Sequence, residues 1–251
     1  MTLPLAVLLV AGLAFLLAGI VKGVIGLGLP TVAMGLLVLV TTPAEAAAML
    51  IVPSLVTNVW QLATGPSLTG LVRRLWSMMA GICVGAFAGA GLLARTDATL
   101  AGGGLGAALV LYGVLGLSGV RFSVPSRLEP WLSPLVGAAT GVVTGATGVF
   151  VIPAVPYLQA LGLNKDDLIQ ALGLSFTVST VALAGGLAGE GAFRVAQAGT
   201  SVLALLPALA GMLAGQRVRR RVSARAFRLC FFAGLLVLGT HSLLQALIQW
   251  R

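Results

Sequence analysis

Long apolar runs cut by short polar punctuation set the character of this chain. A run of about 20 apolar residues matches the ~30 Å hydrocarbon thickness of a bilayer when wound as a helix. The pattern predicts helices at about 4–22, 29–41, 45–64, 74–94, 98–118, 131–147, 151–162, 166–188, 195–215 and 225–248. Segments 29–41 and 151–162 are too short to cross upright. Each follows a glycine-rich break and is either a short span or the returning arm of a re-entrant hairpin. The expected fold is therefore all-α: a polytopic membrane protein of eight to ten transmembrane or re-entrant helices.

Composition points the same way. The chain has 251 residues, 59% hydrophobic and only 8% charged, with a mean hydropathy of +1.08. A soluble domain carries about a quarter charged residues. The 34 glycines accompany Leu, Ala and Val, which fits close helix crossings in lipid rather than disorder. The N-terminal run lacks a basic segment before its apolar core, so it reads as a retained first helix rather than a cleaved signal. Cys83 and Cys230 lie in apolar runs with neither metal spacing nor a disulfide framework.

The net charge of +9 sorts by loop. Eleven cations, Arg73, Arg74, Arg121, Arg127, Lys165, Arg217, Arg219, Arg220, Arg221, Arg225 and Arg228, fall on one side of the predicted spans. Three, Arg95, Arg194 and Arg251, fall on the other. The positive-inside rule places the eleven in the cytoplasm and both termini in the periplasm. The arginine cluster thus reads as a topogenic loop, not a nucleic-acid surface.

An internal repeat adds to this. A gapless shift of 122 residues places Gly19 on Gly141, Gly23 on Gly145, Gly26 on Gly148, Glu45 on Asp167 and Thr57 on Ser179. Arg73 and Arg74 count as inside, while Arg194 in the equivalent loop counts as outside. Two halves of inverted topology are expected, residues 1–122 and 123–251, within one membrane domain. Broken helices at matching places in inverted halves are a transporter architecture.

The candidate chemistry lies at the breaks. "VKGVIGLGLPT" at 21–31 pairs with "VTGATGVFVIP" at 143–153. Glycines free the backbone there, and the open N–H groups of a following helix attract anions. The alternative is that the glycines only allow tight crossings, as Gly81, Gly85 and Gly89 or Gly137, Gly141 and Gly145 do at their four-residue spacing. Lys22 is the sole charge in the first 44 residues and has no acid within a helical turn. It is either a cavity cation suited to an anionic substrate or a snorkelling anchor. Ser54, Thr57, Asn58 and Gln61 share one helical face, and Ser175 and Ser179 share another. Such groups solvate an oxyanion or bond between helices. Glu45, Asp166 and Asp167 sit at helix starts, where acids complement the dipole; the alternative for Glu45 or Asp167 is proton coupling. Trp60, Trp76, Trp131 and Trp250 fall near the expected interfaces.

"AGIVKGVIGLGLPTVAMGLL" and "VGAATGVVTGATGVFVIPAVPYLQALGL" together resemble the sulfite exporter TauE/SafE family, also called the TSUP family of membrane transporters. The resemblance runs from about residue 5 to 245. It implies export of sulfite or small organosulfonates, such as sulfoacetate, across the bacterial inner membrane. The glycine motif is thinner than is usual in that family: Gly26 and Gly28 flank Leu27 in one half, and Gly145 and Gly148 remain in the other.

The reading that joins these features is a secondary transporter of a small anion, with a passive anion channel as the alternative. Its substrate site is placed at Lys22, Gly23, Gly26, Thr31, Asn58, Gln61, Thr147, Ser175 and Ser179. One histidine and two distant cysteines supply neither metal ligands nor a nucleophile–base pair, so no enzyme, metal or cofactor is expected. The expected partners are the anion and the lipid bilayer, without nucleic acid. Coupling to a proton or another ion, and a homo-oligomer, are compatible with it.

Overall fold

A computed structural model describes residues 5–95, 97–120, 122–191, 195–219 and 221–249. Arg121, Arg194, Arg220, Trp250 and Arg251, used above for orientation and interfaces, lie outside the described residues. Ten helices and no strand occur among the described residues. They are α1 (Leu5–Ile25), α2 (Leu29–Leu37), α3 (Pro43–Ala63), α4 (Leu68–Arg95), α5 (Ala98–Ser118), α6 (Glu129–Thr147), α7 (Ala154–Ala160), α8 (Lys165–Gly189), α9 (Val195–Val218) and α10 (Ala224–Gln249).

Local chemistry explains the helix ends. α1 gives way to Gly26 at φ 79°, and α6 stops at Gly148 at φ 70°, positions related by the 122-residue shift. Glycine takes this left-handed conformation without a Cβ clash. Thr42 caps α3 in a reciprocal box with Glu45. The equivalent Asn164 caps α8, accepting from the Asp167 N–H at 2.8 Å. The five helices of the first half, in order, fall on the five of the second under the same shift.

α2 and α7 have nine and seven residues. At ~1.5 Å rise per residue neither reaches across a bilayer. α2 ends four residues short of the expected 29–41, because residues 38–40 close as a turn, with Val40 N–H donating to Leu37 O at 3.0 Å. Among the described residues, seven helices are long and apolar enough to cross a membrane: α1, α3, α4, α5, α8, α9 and α10. α6 is long enough but more polar, carrying Glu129, Ser133, Thr140, Thr144 and Thr147.

The most extensive helix pairings are α4 with α6, α1 with α9, and α5 with α10. Glycines make the first two close. A Cβ on Gly81, Gly85 or Gly89 meets backbone near Pro134, Ala138 or Val142 of α6. Numbers rise together along both helices, so α4 and α6 run parallel. Gly19 and Gly23 likewise abut Ala208 and Met212, so α1 and α9 are parallel. α5 and α10 are antiparallel: Gly106 meets Gly239 and Leu243, while Gly113 meets Leu236 and Phe232. A side chain at these crossings would strike backbone carbonyls, so small residues are required there.

Large apolar side chains face outward. Leu9, Val84, Leu135, Leu206, Val237 and Ile248 are each at least 66% exposed. Polar side chains are buried instead, among them Asn58, Thr140, Gln170, Ser175 and Ser201. That inside-out distribution suits a lipid solvent. Trp60, Trp76 and Trp131 are exposed where α3 ends and α4 and α6 begin, as interfacial rings are.

Candidate functional site

Lys22 lies in the last turn of α1 but points inward and is only 4% exposed. It does not snorkel. Its Nζ donates to Asn58 Oδ1 on α3. The Asn58 amide nitrogen in turn faces Thr180 Oγ1 of α8 at 3.5 Å. Asn58 and Thr180 are 122 residues apart, the same shift that aligns the glycine breaks. Thr180 donates its hydroxyl proton back to Phe176 O at 2.7 Å, which leaves the oxygen free to accept. The chain Lys22–Asn58–Thr180 therefore links one half to the other.

α3 and α8 are held antiparallel by amide side chains. Gln61 Nε2 donates to Ile169 O at 2.8 Å. Gln170 Nε2 donates to Leu62 O and Gly65 O at 2.8 and 2.9 Å, while its Oε1 accepts from Ser67 N–H at 2.7 Å. Gln61 thus bonds between two helices, the alternative weighed above for this polar face, although its Oε1 stays unpaired.

The other expected site residues divide by what their polar atoms do. Thr31, Ser175 and Ser179 are fully buried, and their hydroxyls have no hydrogen-bond partner; the same is true of Ser54. Unpaired buried hydroxyls cost free energy unless something arrives to bond them. Thr147, by contrast, is spent on the backbone, donating to Val143 O at 2.7 Å and accepting from Val149 N–H at 3.2 Å. Gly26 shapes the break through its positive φ. Gly23 serves the α1–α9 crossing, where a Cβ would run into the backbone of Met212 and Gln216.

Two further residues take part that the sequence reading did not place at the site. Ser201 of α9 repairs α3, whose Pro53 has no N–H to offer the Met49 carbonyl. The Ser201 hydroxyl donates to Met49 O at 2.8 Å and accepts from Val52 N–H at 3.0 Å. A proline inside an apolar helix signals that some such group must exist, but not which one. Thr180 was visible as a hydroxyl on the right helix, and the shift onto Asn58 would have singled it out.

No carboxylate pairs with Lys22 among the described residues. The ion pairs there are Arg74 with Glu129 at 2.6 Å and Arg95 with Glu190, both nearer the helix ends. An ammonium held inside a lipid-facing bundle by one neutral amide remains electrostatically unmatched.

Two cavities open at opposite ends of the bundle. One, of about 430 Å³, is bordered by Thr41, Glu45, Thr99, Ser242, Gln245 and Gln249. The other, of about 680 Å³, is bordered by Val24, Leu27, Tyr112, Gln159, Arg219 and Arg228, among others. Lys22 lines neither, but the larger begins at Val24, two residues beyond it.

Among the described residues, an all-helical bundle with an apolar exterior and broken helices defines a multi-pass membrane protein. Residues 11–241 match the family model for the sulfite exporter TauE/SafE, and the chain belongs to that family. Its members are membrane transporters of sulfite or related anions, not enzymes. No curated protein and no solved structure matches the chain.

Proposed function

We propose that the protein is a secondary carrier that exports sulfite or a small organosulfonate across the bacterial inner membrane by alternating access. Its two halves, residues 1–122 and 123–251, would be inverted repeats rocking about a site at Lys22 and Asn58. The carrying observation is the buried Lys22 ammonium, bonded to Asn58 without a carboxylate, together with four buried and unpartnered hydroxyls among the described residues. An oxyanion supplies the missing negative charge and accepts from hydroxyl donors. The inverted relation is supported by helix direction: α3 and α8 match under the 122-residue shift and run antiparallel, Asn58 meeting Thr180 and Leu62 meeting Gly173, as do α5 and α10. A two-fold axis lying in the membrane plane produces that result. The positive-inside rule supports cytoplasmic placement of the Arg217–Arg228 end. Energy comes from an ion or substrate gradient. Glu45 accepts from the Thr42 N–H and Asp167 from the Asn164 amide at the starts of α3 and α8, so the proposal gives neither a coupling role.

Flux in proteoliposomes tests this. Sulfite or sulfoacetate flux should saturate and show counterflow, which a passive channel lacks. A charge-assisted hydrogen bond contributes ~1.5–3 kcal/mol, so Lys22→Ala should lower flux by between ~10-fold and ~150-fold. Expression and insertion should be unaffected. Unchanged kinetics in that variant would remove Lys22 from the site.

A further inference from the structure

The two cavities differ in charge. The larger lies where α1, α5 and α9 end and α10 begins, with α7 forming another wall. Arg219 and Arg228 line it, both exposed, and no carboxylate does. Tyr112, Phe122 and Phe232 supply apolar surface beside them. The smaller cavity has the opposite character. Glu45 lines it, no Lys or Arg does, and Asp97 stands next to its lining residue Ala98.

We infer that the larger cavity is a loading mouth for the anion, in which Arg219 and Arg228 capture a sulfite or sulfonate group before it reaches Lys22. This rests on the carrier reading above. The inner wall of the mouth is the C-terminal end of α1, so Val24 follows Lys22 by ~3 Å of helix rise. A mouth lined by one sign of charge raises the local concentration of the opposite ion by ~10-fold or more. At the other mouth Glu45 repels the same anion and favours its departure. The gradient still sets net direction. The mouths set how much anion is needed on each face.

The test uses full-length protein in zwitterionic-lipid proteoliposomes of known sidedness. Half-saturation for sulfite and for sulfoacetate is measured separately on each face at low salt. Arg219→Gln with Arg228→Gln should raise half-saturation about tenfold on the arginine face and leave the other face unchanged. Maximal rate should change less than twofold. Arg219→Lys with Arg228→Lys should restore most of the lost affinity, which a folding defect would not permit. Wild-type protein should lose the difference between faces in high salt. Unchanged half-saturation on the arginine face, or an equal rise on both faces, overturns the inference. An effect seen only when anionic phospholipid is present also overturns it, because the arginines then hold a lipid headgroup. Loss of flux in Lys22→Ala with no effect of the arginine changes sinks the mouth and spares the carrier. A wild-type chain that moves neither anion removes both.

Discussion

The break after α1 and the break after α6 share a backbone design and differ in charge. Each helix gives way to a left-handed glycine, Gly26 or Gly148. Each is followed by a short helix, and then by a long one capped at equivalent positions, Thr42 with Glu45 or Asn164 with Asp167. The difference sits one turn before each glycine. Lys22 reaches across to Asn58, whereas the equivalent Thr144 turns back on its own break and donates to Val149 O at 3.4 Å. One half carries charge to the interface between halves, and the other carries only backbone geometry. On the carrier reading proposed above, the matched breaks would supply two ways to open, and a single anion would need a single cation.

Moving the charge is the strongest way to break that comparison. Lys22→Thr combined with Thr144→Lys keeps composition and net charge. Flux should remain between ~10-fold and ~150-fold below wild type, because a charge-assisted bond of ~1.5–3 kcal/mol is lost and position 180 offers Thr180 in place of Asn58. Recovery of flux would mean that the halves are interchangeable and that only the presence of charge matters. A smaller effect tests the shared geometry. Gly26→Ala should lower stability by ~1–2 kcal/mol through its positive φ alone, since a Cβ there meets open space. Gly148→Ala should cost more, because its Cβ comes within 3.0 Å of Met34 Sδ and Cε. Thermal unfolding in detergent ranks the two, and equal losses would show that the Met34 contact does not matter. The smallest effect belongs to the caps. Thr42→Ala and Asn164→Ala should each remove ~1 kcal/mol. A cap loss confined to one half would show that the starts of α3 and α8 are not equivalent.

Much of the fold was legible from the chain. Residues 98–118 were expected as a helix and α5 has those bounds. Short-range chemistry is responsible: apolar runs, Pro43, the Thr42 and Asn164 caps, and glycines where helices must stop. α4 was expected to begin at 74 but starts at Leu68, because the polar "SLTGLVRR" stretch still winds as helix beyond the apolar run. The site was legible in part. Lys22 stood out for its lone charge, and Asn58 for its polar face.

By itself the sequence determined where helices form and break, which end gathers arginine, and that one internal cation stands without a local acid. These are matters of neighbours along the chain and of transfer from water to lipid. Only the tertiary structure decided which groups meet. Lys22 and Asn58 are 36 residues apart, Asn58 and Thr180 are 122 apart, and Ser201 reaches Met49 across 152. Tertiary packing also gave Gly23 to a helix crossing and Thr147 to its own backbone, because a helix face is assigned a role only when another helix lies against it.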